Sequence, residues 1–454
     1  MSSFDVAIVG GGPGGLMTAY ALQRLADHPV HVALFEAGPR LGGKILTPHF
    51  RTAPVRYEAG AAEFYDYAHI DEDPLKDLIA ELGLPIRPMG GPAVVMNQRI
   101  LSNLDDISDR LGPQVHRAVV EFDRLAKDRI TRQEFYHGDD PEGSPPPPER
   151  LRFDSDLAHV TEPEARTYIE TLIHSDLATE PDLTSSQYGL QNYVMNDDLY
   201  MNLYGIEGGN ERLTHELAAR LDATVHLEQP VCGVERQPDR KLRVHSVKRG
   251  EPQHDDFDYV VIALPHNHLP SISYPEAGLA EAMRRHFDRH DFPAHYLRIS
   301  VLFDEPFWRN AFGDSYWMLD RLGGCCLYDE SSRIPGCRHG VLGWLLGGTA
   351  AGEMSEKSDE ELIEAALDSL PDFLAHGREH FLEGVVQRWP ASVSAMPGGW
   401  QPLSLDRRHR PEPTDHPHLF VVGDYLFDTT INGVLDSAEY VASWLAALMI
   451  ERRA

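Results

Sequence analysis

The chain has 454 residues, 42% of them hydrophobic and 25% charged, which specifies a folded globular protein with room for two joined domains. Lys and Arg number 41 against 71 Asp and Glu, a formal charge of −30 that excludes the basic face a nucleic-acid partner requires. No continuous apolar run of about 18 residues marks a membrane span, the apolar start lacks the basic flank of a signal peptide, and four cysteines without CxxC spacing fit a reducing cytoplasm.

The first element is an apolar strand, Val6–Val9, running into "GGGPGG" at 10–15 and then a helix over 16–25. Gly10, Gly12 and Gly15 satisfy G-x-G-x-x-G. Gly10 allows the tight turn, Gly12 lets a pyrophosphate touch the main chain, and Gly15 lets helix and strand pack closely. Pro13 and Gly14 complete the turn, whose amides and helix dipole favour an anion. A second strand, "HVALFEA", ends at Glu36 and Ala37, with Glu36 placed 21 positions after Gly15 to accept an adenosine ribose. The spacing points to a dinucleotide.

Helical patterns follow at 73–83, 114–129, 162–173 and 210–221. Between the second and third lies "DDPEGSPPPPER", 139–150, a stiff exposed loop because four prolines neither continue a helix nor pair centrally in a sheet. Strand-like stretches occupy 224–235, 241–247, 259–265 and 297–303, and 340–348 is apolar throughout. A last strand, "HLFVVGD" at 418–424, meets a glycine turn and a helix over 434–451. The fold class expected is α/β: a Rossmann-like dinucleotide-binding domain assembled from separated segments (1–75, 204–284 and 388–454) with an α+β substrate-binding domain (76–203 and 285–387). The 23 histidines show no metal-ligand pattern, so no metal site is expected.

After Glu36 the chain reads "AGPRLGGKI", and here it resembles the flavin-containing amine oxidase superfamily, which includes monoamine and L-amino-acid oxidases, protoporphyrinogen oxidase and carotenoid desaturases. The resemblance implies that Arg40, Gly42, Gly43 and Lys44 lie near the flavin, Lys44 standing where an arginine is usual. It continues through "YEAGAAEFY" at 57–65, with Gly60, Ala61, Ala62 and Glu63 as the flavin floor and Phe64 and Tyr65 toward substrate. "YGIEGGNERLTHELA" at 204–218, Val231 in "VCGVE" and Ala263 in "DYVVIALP" match further family segments. The closing "LFVVGDYLF…INGVLDSA" implies Asp424, after Gly423, on the ribityl hydroxyls, and Gly433 and Val434 at a helix start facing the flavin pyrimidine edge.

Three positions depart from the family pattern. Arg298 stands where a lysine commonly holds a water for oxygen reaction; it keeps the charge but sheds no proton, and holding a water, binding a substrate carboxylate or forming a salt bridge are all open to it. Trp400 replaces the cysteine that carries covalent flavin in monoamine oxidases, so FAD is expected to be noncovalent. Gln401 and Val434 fall where an aromatic pair would flank the amine. Arg298, Trp389 and Trp400 are the catalytic candidates; Phe64, Tyr65, Arg298, Gln401 and Tyr425 are the substrate candidates.

The reading is an FAD-dependent oxidoreductase that takes a hydride from the carbon next to nitrogen of an amine or amino acid, giving an imine. The rival keeps the flavin and dehydrogenates carbon–carbon or ring bonds, as protoporphyrinogen oxidases and desaturases do. A non-catalytic FAD-binding protein is the reading from a different class. Expected partners are a small-molecule substrate and an electron acceptor, oxygen or another, with a homodimer left open.

Overall fold

The computed structural model describes residues 3–67, 72–132, 135, 152–398 and 403–452. The proline tract, Trp400 and Gln401 lie outside the described residues.

Phe4–Val9 is the central strand of a five-stranded sheet ordered Leu419–Val421, Tyr259–Ile262, Phe4–Val9, Val30–Phe35, Ala223–His226. Every pairing in it is parallel, so segments from the front, middle and back of the chain meet in one layer. A parallel sheet is covered on both faces, and its strands read as nearly continuous apolar runs. Val6 and Ile8 enter the core under the helices Pro13–Leu25 and Ile431–Glu451, while Ala7 and Val9 enter a second core. That second core is shared with an antiparallel sheet of Val231–Arg236, Leu242–Lys248 and Glu251–Phe257. The 224–235 stretch is therefore two strands in different sheets. Glu228 at φ 51° and Pro230, which lacks an N–H, break it between them.

A seven-stranded sheet forms the other layer, ordered Phe381–Ser394, Pro293–Phe303, Gly340–Gly347, Cys325–Asp329, Tyr316–Leu319, Ala93–Met96, Arg99–Leu101. Nothing in the pattern of the sequence signals its 14-residue edge strand, because Gly384 and Pro390 interrupt the alternation. This strand pairs antiparallel with Pro293–Phe303 and places Trp389 opposite Tyr296, so residue 388 falls inside an element. A small sheet of Phe64–Asp66, Asn202–Ile206 and Ile86–Met89 contributes to the cavity described below.

The last helix spans Ile431–Glu451, three residues earlier than its apolar pattern suggests. Thr430 caps it, its side chain accepting the Gly433 amide. Among the described residues this is the one helix long and apolar enough to cross a membrane by length and composition, and 56% of its apolar window is buried inside the fold.

Candidate functional site

The glycine turn separates into positions that the fold uses and one that it leaves open. Gly10 has φ +112°, and a Cβ there would stand 2.4 Å from Ala263 O. A Cβ on Gly15 would stand 2.0 Å from Gly10 O, which is the close strand–helix packing expected. At Gly12 the nearest protein atom to an added Cβ is Gly43 Cα at 3.8 Å, so the space in front of it is not taken by protein. Gly12 is also the N-cap of the helix, with no side chain capping it and Pro13 at N1. The first-turn amides and the positive end of the helix therefore face that space.

Glu36 closes this turn. Its Oε2 accepts the Gly11 amide at 2.9 Å and its Oε1 the Gly38 amide at 2.7 Å, while each oxygen keeps a lone pair for a ribose hydroxyl. The 40–44 loop folds over the glycines: Gly42 N donates to Gly11 O at 2.8 Å, and Gly43 has φ +53° with its Cβ site 3.0 Å from Gly12 Cα. Arg40 braces this loop by donating to Gly43 O at 2.6 Å and Leu41 O at 3.0 Å, and lies 3.4 Å from Glu211. Lys44 donates to Ser392 O and stands 3.8 Å from Asp424 Oδ2, joining the front loop to the long strand and the closing turn.

The closing turn is corrected in one respect. With Thr430 as the cap, the Gly433 amide is spent on Thr430 Oγ1 and the Val434 amide on Thr430 O. The uncommitted amides of the first turn are those of Ile431 and Asn432, and Val434 serves packing, its Cγ1 lying 3.5 Å from the Cβ site of Gly14. Gly423 N donates to Ser437 Oγ at 3.1 Å, and His409 Nε2 sits 3.0 Å from the same hydroxyl. His409 Nδ1 faces Leu405 O at 2.8 Å, which fixes Nε2 as the acceptor of the Ser437 proton.

Residues 57–63 form a strap held by buried charges. A Cβ on Gly60 would stand 1.7 Å from Lys44 O, so only glycine fits. Asn210, fully buried, donates from Nδ2 to Ala61 O, and its own amide donates to Glu58 Oε1, both at 3.0 Å. Arg333 donates to Ala62 O at 2.6 Å. Arg298, 2% exposed, donates to Glu58 O at 2.8 Å and to Glu330 Oε1 at 2.5 Å, and its Nη1 has no hydrogen-bond partner among the described residues. Burial pushes the Glu58 carboxyl up to about 7, with Arg333 pulling the other way. Trp389 Nε1 donates to Ala59 O at 2.7 Å.

Beyond the strap lies a narrow cavity lined by Glu63, Tyr65, Asp176, Tyr316, Cys326 and Tyr328, with methionines 195, 201 and 318. Among the described residues Glu63 Oε2 has no hydrogen-bond partner. Burial raises the Glu63 carboxyl, and Arg298 and Tyr328 oppose the rise. Asp176 is pushed up to about 8, by burial first and by the Glu63 carboxyl second. The Tyr65 hydroxyl is raised well above its ordinary range by burial and by both carboxyls.

The expected substrate residues divide by strand alternation. Tyr65 faces the cavity, but Phe64 points the other way into the core, 2% exposed and against Tyr204 at 5.7 Å between centroids. Tyr425 is also a core residue, 3% exposed among His266, His286 and His290. Arg298 stands behind the cavity wall with its guanidinium 5.3 Å from the Tyr328 ring centroid. Val231 and Ala263 are both buried, Val231 opening a strand of the three-stranded antiparallel sheet and Ala263 directly following Tyr259–Ile262 of the five-stranded sheet. Sequence reasoning missed Glu58, Asn210, Glu330 and Arg333, which position the strap, and Asp176, which faces the cavity. Asn210 follows the glycine pair in "EGGNE", which offered a local signal; Asp176 has none.

The chain aligns with a double mutant of putrescine oxidase at a TM-score of 0.75 and 19% identity, covering 98% of this chain and 99% of that one. It aligns with cyclohexylamine oxidase from Brevibacterium oxydans at a TM-score of 0.75 and 19% identity, covering 99% and 100%. These two likenesses establish the fold. A coproporphyrinogen III oxidase of Mycobacterium tuberculosis is 32% identical over 104 residues, a stretch spanning 22% of this chain and 22% of that relative. The family model of flavin-containing amine oxidoreductases matches residues 13–445. With a glycine turn open at Gly12, a carboxylate poised for ribose and a strap under a polar cavity, the chain belongs to the flavin-containing amine oxidoreductase family and is an FAD-dependent oxidoreductase.

Proposed function

We propose that the protein oxidises an amine at the carbon next to nitrogen, giving an imine that water then hydrolyses. FAD, when bound, supplies the hydride acceptor. Gly12, Gly14 and Glu36 would hold its nucleotide end, the 40–44 loop its phosphates, and Asp424 with the Ile431 and Asn432 amides its ring end. In this reading the five-stranded parallel layer holds the cofactor and the seven-stranded layer covers the substrate.

The observation that carries the reading is the make-up of the cavity, two carboxyls within aromatic walls. Glu63 and Asp176 are the two carboxyls that line a space walled by tyrosines, and burial favours the neutral form of both. Neutral carboxyls hydrogen-bond an uncharged amine, and the aromatic walls keep the site dry, where orientation does most of the catalytic work. The chain's part is to order the strap through Arg298, Asn210 and Arg333, and to exclude water with Tyr65, Tyr316 and Tyr328. No strong base is required, because an amine that binds neutral already carries the lone pair that expels the hydride.

A second reading, dehydrogenation of a porphyrinogen ring, is favoured by the local likeness to coproporphyrinogen III oxidase. Porphyrinogens bear carboxylates, and the residues lining the cavity include no guanidinium or ammonium to pair with them. Product analysis after aerobic incubation separates the two. Aldehyde or ketone plus ammonia from an amine supports the proposal; a porphyrin formed from its porphyrinogen, with amines untouched, overturns it.

A further inference from the structure

We propose that an open cleft lined by Arg56, Gly208, Arg212, His215 and Glu216 binds a small molecule through a doubly charged oxyanion, either a phosphate monoester or a pair of carboxylates. It is a second site. None of its lining residues belongs to the glycine turn, the 40–44 loop or the narrow cavity beyond the strap.

Two separate segments build the cleft. Arg56 enters from the stretch leading into the strap, where it forms an isolated antiparallel bridge with His49. Gly208 lies in the turn between the strand Asn202–Ile206 and the helix Arg212–Ala219, and Arg212, His215 and Glu216 lie on that helix. Gly208 has φ +85°, a conformation open to glycine without cost, and its carbonyl is the anchor of the first arginine. Arg56 Nη1 donates to Gly208 O at 2.9 Å, and Arg212 Nη1 donates to Glu207 O at 2.6 Å. Each guanidinium has five N–H donors in a planar fork, so one main-chain bond leaves most of them for a ligand. The two forks are thereby held on neighbouring carbonyls of one turn before anything binds, which lowers the entropy lost on binding.

The carboxyls around the cleft are engaged elsewhere. Glu207 pairs with Arg87 at 2.9 Å, Glu211 with Arg40 at 3.4 Å, and Glu216 with Arg220 at 3.5 Å. His215 Nε2 lies 3.5 Å from Glu211, so the positive charge of the cleft rests on the two arginines. Among the described residues neither Arg56 nor Arg212 is paired with a carboxylate; each is held by a main-chain carbonyl instead. In a chain of formal charge −30 this is a local reversal of sign. Guanidinium forks match the paired oxygens of carboxylate and phosphate, and two of them favour a dianion over a single charge. The cleft measures about 460 Å³, within the range of small-molecule sites, so the oxyanion can carry an organic body with it.

The test is isothermal titration of the purified holoenzyme with inorganic phosphate and, separately, with succinate, at constant ionic strength set by sodium chloride. The proposal expects saturable binding of at least one of the two, at one per chain, and none of chloride. Phosphate binding the tighter identifies a phosphate ester as the ligand class, and succinate binding the tighter identifies a dicarboxylate. Arg56→Met and Arg212→Met are each expected to weaken that binding about tenfold or more. Arg285→Met, which removes the same charge from an exposed position on the helix Ala277–Arg289, is expected to leave it unchanged. Arg56 is exposed and supplies the comparison should Arg212→Met fail to fold. Absence of binding by both anions overturns the site, as does unchanged affinity in the two cleft variants. An equal loss in Arg285→Met also overturns it, since net charge and not the cleft would then be responsible.

Discussion

Arg298 and Glu330 face each other 2.5 Å apart with 2% of either side chain exposed, and between them they grip the main chain of Glu58 from both sides. Arg298 Nε donates to Glu58 O at 2.8 Å, and Glu58 N donates to Glu330 Oε2 at 2.7 Å. The pair thus fixes the strap from which Glu63 projects. Removing one partner of a buried pair leaves an uncompensated charge, at a cost of about 3–5 kcal/mol. Arg298→Leu is expected to lose that much in urea unfolding, and the double variant with Glu330→Leu to recover part of it. A single variant losing less than about 1 kcal/mol would show that the pair does not hold the strap.

The glycine turn predicts two opposite phenotypes. Gly15→Ala places a methyl 2.0 Å from Gly10 O and should destabilise the fold itself, by about 2 kcal/mol or more. Gly12→Ala meets no protein atom closer than 3.8 Å at a backbone of φ −76°, so its Tm without added cofactor should stay near that of the wild type while FAD affinity falls about tenfold or more. Equal FAD affinity in Gly12→Ala would mean that nothing approaches that backbone.

Glu36→Arg should yield protein without FAD. The substitution removes the acceptor of the Gly11 and Gly38 amides and sets a cation where ribose hydroxyls need an acceptor. The visible absorbance of the purified variant is the check, and retained yellow colour contradicts the assignment.

Much of the nucleotide end was legible because its signals are local: a strand, a glycine turn and an acid at fixed spacing lie within 36 residues. The helix start at Thr430 was legible too, since a threonine before an apolar periodic run is an N-cap signal, yet the Asn432-Gly433 pair draws attention two residues further on. Alternation along 63–65 sends Tyr65 and Phe64 to opposite faces, a rule that needs only the strand assignment. The cavity was not legible. Asp176 reaches Glu63 from 113 positions away, on a helix with no motif, and only the tertiary packing of that helix against the seven-stranded sheet brings the two carboxyls together.

Buried ionisable groups predict a pH dependence of stability with two opposing parts. Burial holds His290 and His409 down to about 4 and pushes His286 well below its usual range, while the unfolded chain takes up protons near 6.5. Between those values the unfolded state binds more protons, so this part of the stability falls as pH drops from 6.5 toward 4, on the order of 3 kcal/mol each for His290 and His409. Glu58 at about 7 and Asp176 at about 8 act oppositely, since the folded state keeps protons that the unfolded state releases above about 4, and their part falls as pH rises. The summed profile is a dome, and single variants separate its sides. His290→Asn should gain on the wild type as pH falls from 7 to 4, and Asp176→Asn should gain as pH rises from 5 to 8. Urea unfolding across pH measures both, and parallel profiles for variant and wild type contradict the assignment.

The most direct measurement is anaerobic mixing of the yellow holoenzyme with a panel of monoamines, diamines and amino acids, followed by visible absorbance. The account predicts loss of the flavin band with at least one aliphatic amine, and the imine-derived carbonyl compound in the quenched mixture. A flavin that stays oxidised with every amine, but is reduced by a porphyrinogen or another carbon–carbon donor, would contradict it.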